Sequence, residues 1–398
     1  MIMVNEKMRG LGAHRSVIRE LFEYGKKRKA EIGAENVFDF SLGNPSVPAP
    51  EAVNEALSRL LHERDAVSLH GYTSAQGDAG VRRAIADYIT KTQGVEMNAD
   101  LIYLTVGAAA SLTISLSAVL NEGDEVILLA PFFPEYRVFA ERTGAKVVSV
   151  LCDLKTFQPD LAAVEAAITE RTRAIIVNSP NNPTGAVMTR ESAEGLAALL
   201  AKKEREYGNS IWLIADEPYR ELVYGDATVP YLPALYDNTL VCYSFSKSLS
   251  LPGERIGYIA VSPKAREAAE VYAAVCGAGR ALGFVCAPAL FQYMIPEVLG
   301  MTSDISVYDT NRRLLYDALT EYGYEAVYPD GAFYLFVKAL EPDANAFCER
   351  AKGEELLLVP SDSFGCPGYV RISYCVTTEQ IERSLPAFKR LAQSYQKA

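Results

Sequence analysis

Between Tyr243 and Tyr258 the chain reads YSFSKSLSLPGERIGY, in which an apolar run empties into Ser244, Ser246 and Lys247, and Arg255 follows inside GERIGY. A lysine amine condenses with a carbonyl to form a Schiff base, and it becomes a useful nucleophile once burial or a neighbouring cation lowers its pKa. Two serine hydroxyls and a guanidinium suit a dianionic phosphate, the arginine through paired charge-assisted bonds. One short segment therefore supplies both halves of a site for an aldehyde that carries a phosphate. VGAAAS, Val106 to Ser111, offers a second anion-binding element. There Gly107 allows close approach and the amides at Ala108 and Ala109 are those of a helix start.

Short apolar runs recur through the middle of the chain: LIYLTVG from Leu101, EVILLAP from Glu125, TRAIIVNSP from Thr172, IWLIADEP from Ile211, TLVCYSFSK from Thr239 and RIGYIAVS from Arg255. Helix-length segments separate most of them. ESAEGLAALLAKKEREYG, from Glu191, begins with acids, continues with bases and closes on glycine, as a helix does. Branched residues on both faces of strands that alternate with helices predict an α/β fold, a mainly parallel sheet covered on both sides. Ligands of such sheets bind beyond the carboxyl ends of the strands. Asn182, Asp216 and Lys247 stand at or just after the ends of such runs, so three groups distant in sequence are expected in one cleft. The C-terminal third reads as a smaller α/β domain, with helical NRRLLYDALTEYG from Asn311, strand-like GAFYLFVKAL from Gly331 and YVRISYCV from Tyr369, and a last helix from Thr378. The expected division is a large domain over 48–294 and a small one made of 1–47 with 295–398.

A content of 49% hydrophobic and 22% charged residues is that of an ordinary globular protein. The net charge of −11 opposes binding to nucleic acid or to anionic membranes, so small anions must be caught locally. Charged residues interrupt the apolar stretch at the N-terminus, where no signal peptide is expected. The uncharged run from Leu101 to Asn121 is too rich in serine, threonine and glycine for a membrane span and reads as a strand followed by a buried helix. Seven cysteines without a C-x-x-C pair fit reduced thiols and a cytoplasmic location. The three histidines, His14, His62 and His70, supply histidine triads and metal sites poorly, and no metal is expected. GAGRALG, from Gly277, has one residue too many for a dinucleotide fingerprint and follows a helix-like segment instead of a strand.

S-x-S-K followed by G-x-R-x-G-Y resembles the cofactor-lysine motif of the class I/II (fold type I) pyridoxal-phosphate-dependent aminotransferases. Further matches occur in the order of that family, from Gly43 to Arg371. The resemblance implies pyridoxal 5'-phosphate as cofactor, held on Lys247. D-E-P-Y, Asp216 to Tyr219, is similar to the family's D-x-x-Y, which places the aspartate at the ring nitrogen and the tyrosine at the ring's phenolic oxygen; Glu217 is the less favoured partner. NSPNNPTG resembles the N-P-x-G signature, which gives Asn182 a bond to the same oxygen and a part in seating the substrate carboxylate. Phe133, in PFFPEY, matches the aromatic that stacks on the ring. Relatives often carry a hydroxyl residue beside the glycine of the phosphate loop, whereas Ala108 and Ala109 follow Gly107 here, so phosphate contact should rest more on amides, Ser244 and Arg255. Arg371, in YVRIS, matches the clamp on the substrate α-carboxylate, and SLGNPSVPAP resembles the segment whose backbone near Gly43 lines that site. HGYTSAQGDAGVRR is similar to a Y-x-x-x-x-G-x-x-x-L-R stretch, with Val81 in place of the leucine. Its Tyr72 would reach the phosphate of a neighbouring subunit, which implies a homodimer.

The reaction implied is transfer of an amino group between an L-amino acid and a 2-oxo acid in ping-pong fashion through pyridoxamine phosphate. A carbon–sulfur β-lyase on the same scaffold is the alternative, because after Cα deprotonation the leaving group on the substrate selects between transfer and elimination. A cofactor-binding regulatory protein is disfavoured by the acidic charge and the lack of a basic domain. Arg280 is the candidate cation for a second substrate carboxylate, since it lies where relatives contribute residues across the dimer.

Overall fold

The computed structural model describes residues 4–13 and 16–396, so His14 and Arg15 lie outside it. The chain divides into two compact units: the described parts of Met1–Asn44, Val307–Tyr328 and Phe333–Ala398 form one, and Pro45–Ser306 with Pro329–Ala332 form the other.

The larger unit is built on seven strands: β1 (Ile102–Thr105), β2 (Glu125–Ala130), β3 (Lys146–Leu151), β4 (Thr172–Asn178), β5 (Trp212–Asp216), β6 (Thr239–Ser244) and β7 (Gly257–Val261). Their order across the sheet is β1-β7-β6-β5-β4-β2-β3. From β6 to β3 every pairing is parallel, as the continuous apolar runs predict. Alternate residues face opposite sides and both sides are buried. Ile127, Ile175, Leu213 and Val241 belong to one apolar core, and Leu128, Ile176, Ile214 and Leu240 to the other.

β7 departs from the pattern, running antiparallel to both β1 and β6. The reason lies in the connection. A parallel return needs a crossover with a helix on the sheet face, whereas residues 245–256 hold a four-residue helix and turns, so the chain doubles straight back. The consequence for the site is direct: the end of β6 and the start of β7 face each other, with Ser244 opposite Gly257, and Thr105 at the end of β1 is also opposite Gly257.

Five helices bear on the site or test the sequence reading: α1 (Ala108–Val119), α2 (Glu135–Glu141), α3 (Arg190–Tyr207), α4 (Phe245–Ser248) and α5 (Ala268–Leu282). α3 starts where its sequence dictates. Thr189 caps it by accepting from the Ser192 amide at 3.1 Å, a bond worth about 1 kcal/mol, and Gly208 closes it in a left-handed conformation (φ +70°). α5 contains GAGRAL and Gly283 caps its end, so the stretch is a helix terminus and not a glycine-rich loop. Leu101–Asn121 divides into β1 and α1, and no helix among the described residues is long and apolar enough to cross a membrane.

In the smaller unit β8 (Tyr334–Lys338), β9 (Val359–Pro360) and β10 (Tyr369–Ser373) form an antiparallel sheet with β10 in the middle. Helices at Ser306–Glu321 and Thr378–Gln396 occupy the two segments with helical sequence patterns.

Candidate active site

The carboxyl ends of β4, β5 and β6 lie on one edge of the sheet, because the strands are parallel and in register. Asn178 is opposite Asp216 and Asp216 is opposite Cys242. β6 ends at Ser244, which caps α4: its Oγ accepts from the Ser246 amide at 3.2 Å and donates to Ser246 Oγ at 2.8 Å. Arg255 donates to Ser246 Oγ at 3.4 Å and to the Pro252 carbonyl at 3.0 Å. Its backbone is left-handed (φ +51°), a conformation that costs a non-glycine residue energy and that here accompanies the fixed position of its guanidinium. Gly107, at the start of α1, completes the cluster. It has φ +90°, no side chain caps the helix it begins, and a Cβ there would lie 2.6 Å from Arg255 Nη2. The positive φ favours glycine there, and a Cβ would have to push the guanidinium aside. Gly107, Arg255, Ser246 and Ser244 thus form a continuous cradle of donors, with the first-turn amides of Ala108 and Ala109 beside it. Such a set binds a phosphate dianion. Lys247 is the next residue within α4 and is half-buried.

Asp216 ends β5 and is 5% exposed. Burial pushes its carboxyl up to about 7; a hydrogen bond from Tyr136 opposes this and the charge of Glu217 adds to it. The Tyr136 hydroxyl donates to Oδ2, while Oδ1 is buried and has no hydrogen-bond partner among the described residues. Glu217 turns elsewhere and pairs in bidentate fashion with Arg220, at 2.6 and 2.7 Å. Tyr219 is buried in the turn after β5. Asn178, at the end of β4, ties two candidates together: its amide donates to the Asp216 carbonyl at 2.9 Å and its Oδ1 accepts from the Asn182 amide at 2.8 Å. Asn182 is itself buried in the turn that NNPTG forms, held by Thr184 donating to Asn181 Oδ1 at 2.8 Å. Phe133 is half-buried and meets the Tyr136 ring edge-on, with centroids 5.6 Å apart.

Four further candidates remain. Tyr72 is 98% exposed. Arg280 is exposed on α5, and among the described residues no hydrogen bond or ion pair joins it to the cluster. Arg371 and Gly43 belong to the smaller unit. There Arg371, on β10, is 2% exposed, donates from Nη2 to the Ser41 carbonyl at 2.6 Å and lies over the rings of Tyr334 and Phe364, 4.8 and 5.3 Å from their centroids. A Cβ on Gly43 would run into the Tyr334 hydroxyl, so glycine is required for that approach.

Two residues of the cluster escaped the sequence reading, Tyr136 and Asn178. A signal existed for each. Tyr136 lies three residues beyond Phe133, and a tyrosine in an apolar stretch needs a partner for its hydroxyl. Asn178 is a polar side chain at the last position of a buried strand.

The donor set, the lysine and the buried acid with one unpartnered oxygen have the chemistry that suits a phosphorylated carbonyl cofactor with a basic ring, on a fold type I α/β scaffold. Residues 35–388 match the family model described as aminotransferase class I and II, and the chain belongs to that family. An amino transferase from Eubacterium rectale, known from its crystal structure, is 57% identical and superposes with a TM-score of 0.97 over 99% of this chain and 100% of that one. The aspartate aminotransferase of Thermotoga maritima is 32% identical over 92% of this chain and 95% of its own length. A probable aspartate/prephenate aminotransferase of Aquifex aeolicus is 31% identical over 92% and 93%. The protein is an aminotransferase and uses pyridoxal 5'-phosphate. The residues present fit that group: the cradle suits its phosphate, and Asp216 Oδ1 is a buried acceptor left for a protonated ring nitrogen.

Proposed function

We propose that this chain transfers an amino group between an L-amino acid and a 2-oxo acid in two half-reactions, with Lys247 as the residue that carries the cofactor and moves the proton. The observation that carries the assignment of the site is the buried Asp216 carboxylate with Oδ1 unpartnered, on the same sheet edge as the donor cradle. When bound, pyridoxal 5'-phosphate supplies an aldehyde that links covalently to amines and a protonated ring that draws electrons from the substrate Cα.

The protein's own groups do the rest. Arg255, Ser244, Ser246 and the amides of Gly107, Ala108 and Ala109 bind the phosphate and so fix the position of the ring. Phe133 would cover the ring, and Asn182 and Tyr219 would donate to its phenolic oxygen. Asp216 holds a proton on the ring nitrogen by charge. Arg371, with the backbone near Gly43, takes the substrate α-carboxylate; the aromatic rings around its guanidinium and its bond to Ser41 support a fixed, planar clamp. Lys247 Nζ would hold the cofactor covalently and, once freed by the incoming amino group, would be the base that takes the proton from the substrate Cα.

The near-complete exposure of Tyr72 supports a homodimer in which this hydroxyl serves the partner's phosphate. The cysteines, all of which remain thiols, support a reducing, cytoplasmic setting. Relatives named for aspartate make an acidic amino acid the first substrate to try. Arg280 is the candidate for its second carboxylate: Arg280→Ala should slow aspartate and spare alanine, and equal effects on both would remove it from that role.

Lys247→Ala tests the whole assignment. The variant should bind pyridoxal phosphate without the visible absorbance of a lysine adduct and should show background turnover. Wild-type rates in the variant would refute the role given to Lys247.

A further inference from the structure

Tyr136, on α2, is 2% exposed, and its hydroxyl donates to Asp216 Oδ2 across 80 positions of sequence. A second donor, Asn178 Nδ2, stands 3.5 Å from the same oxygen, at the edge of hydrogen-bonding range; its stronger bond, at 2.9 Å, goes to the Asp216 backbone carbonyl. The carboxylate is therefore held through Oδ2 and its own main chain, while Oδ1 has no partner among the described residues. The asymmetry matters because a buried acid left alone takes up a proton, and a hydrogen bond given to its ionised form opposes that. The other titratable groups facing Asp216 give less. The Cys242 thiol, on the neighbouring strand, is kept protonated by burial and lies 3.4 Å from Ser115 Oγ. Glu217 raises the cost of a second negative charge but is paired with Arg220, and the Tyr219 phenol contributes through its field on Tyr136.

We propose that Tyr136 is a positioning residue for Asp216: its hydroxyl pins Oδ2, favours the ionised form of the acid and leaves Oδ1 to receive the N–H of the cofactor ring. This rests on the reading of Asp216 as the partner of the ring nitrogen. A residue with that role should matter to a ligand that has a ring nitrogen and be indifferent to one that lacks it.

The test is equilibrium binding to the cofactor-free full-length chain, with pyridoxal phosphate and with the analogue whose ring nitrogen is replaced by CH. Tyr136→Phe should bind pyridoxal phosphate about tenfold more weakly than wild type, the effect of one hydrogen bond to a charged group, and should bind the CH analogue as wild type does. With ¹⁵N-labelled pyridoxal phosphate, the ring resonance in Tyr136→Phe should move toward that of neutral pyridine. An equal loss for both ligands, with no shift of the resonance, would make Tyr136 a packing residue and overturn the proposal. Asp216→Asn separates the two levels. If it also fails to distinguish the ligands, the reading of Asp216 falls; if it distinguishes them and Tyr136→Phe does not, the role of Tyr136 falls alone.

Discussion

The donor cradle around Arg255 and the pocket of Asp216 occupy the ends of adjacent strands, yet they are built in opposite ways. The cradle is assembled from the end of β6, α4, the turn that follows it and the start of α1. Ser244, Ser246 and Arg255 lie within one short stretch, Arg255 is exposed, and several neutral and charged donors share the task. The Asp216 pocket is buried and its partners come from far along the chain, Tyr136 on α2 and Asn178 on β4. A phosphate held by many donors should tolerate the loss of one, whereas a ring nitrogen served by a single buried carboxylate should not. Redundancy, more than the formal charge at stake, sets the sensitivity of each region.

Substitutions probe that contrast in order of expected effect. Asp216→Asn should cut the rate of the half-reaction with an amino acid by about a thousandfold, the scale expected when one partner of a buried charge pair is removed. A loss below tenfold would put the pocket on a par with the cradle and erase the difference. Arg255→Ala should weaken cofactor binding about thirtyfold, within the range for hydrogen bonds to a charged group, while leaving the rate of the saturated enzyme within severalfold of wild type. If saturating cofactor did not restore turnover, Arg255 would belong to the chemistry as well as to the cradle.

The smallest effect is on stability. In the cofactor-free chain the Asp216 carboxyl is raised from its ordinary value to about 7 by burial. The folded state therefore binds the proton more tightly than the unfolded state. This contribution to stability is fully present below about pH 4, the range of an unfolded carboxyl, and is lost as the pH rises through about 7. Denaturant unfolding of the cofactor-free chain across that range should show a shallower decline for Asp216→Asn than for wild type. An unchanged slope would mean that the acid is better solvated than its burial implies. Glu221, whose carboxyl burial also raises to about 7, supplies the residual slope.

The same contrast decides what the amino-acid sequence reveals. Runs such as TRAIIVNSP and IWLIADEP disclose both the strand and the polar residue at its end, because burial on both faces leaves an unbroken apolar pattern that stops where the cleft begins. The parallel α/β sheet and the shared edge of Asn182, Asp216 and Lys247 are legible for that reason. The reversal of β7 is not, since pairing direction depends on how residues 245–256 pack and apolar periodicity is blind to it. Tyr136 is hidden for a similar reason. Its place in PFFPEY is indistinguishable from core packing until the fold brings Asp216 to its hydroxyl. Asn178 is visible in the sequence as the polar end of a strand, but not its two bonds, which fasten Asp216 to the Asn182 loop.

Reduction of the cofactor-loaded protein with borohydride, followed by peptide mapping, addresses the site most directly. The reduced pyridoxyl group should be found on the peptide that contains Lys247, in close to one equivalent per chain. Its recovery on a different lysine, or the absence of any covalent adduct from fully loaded protein, would contradict the placement of the cofactor at the ends of β5 and β6.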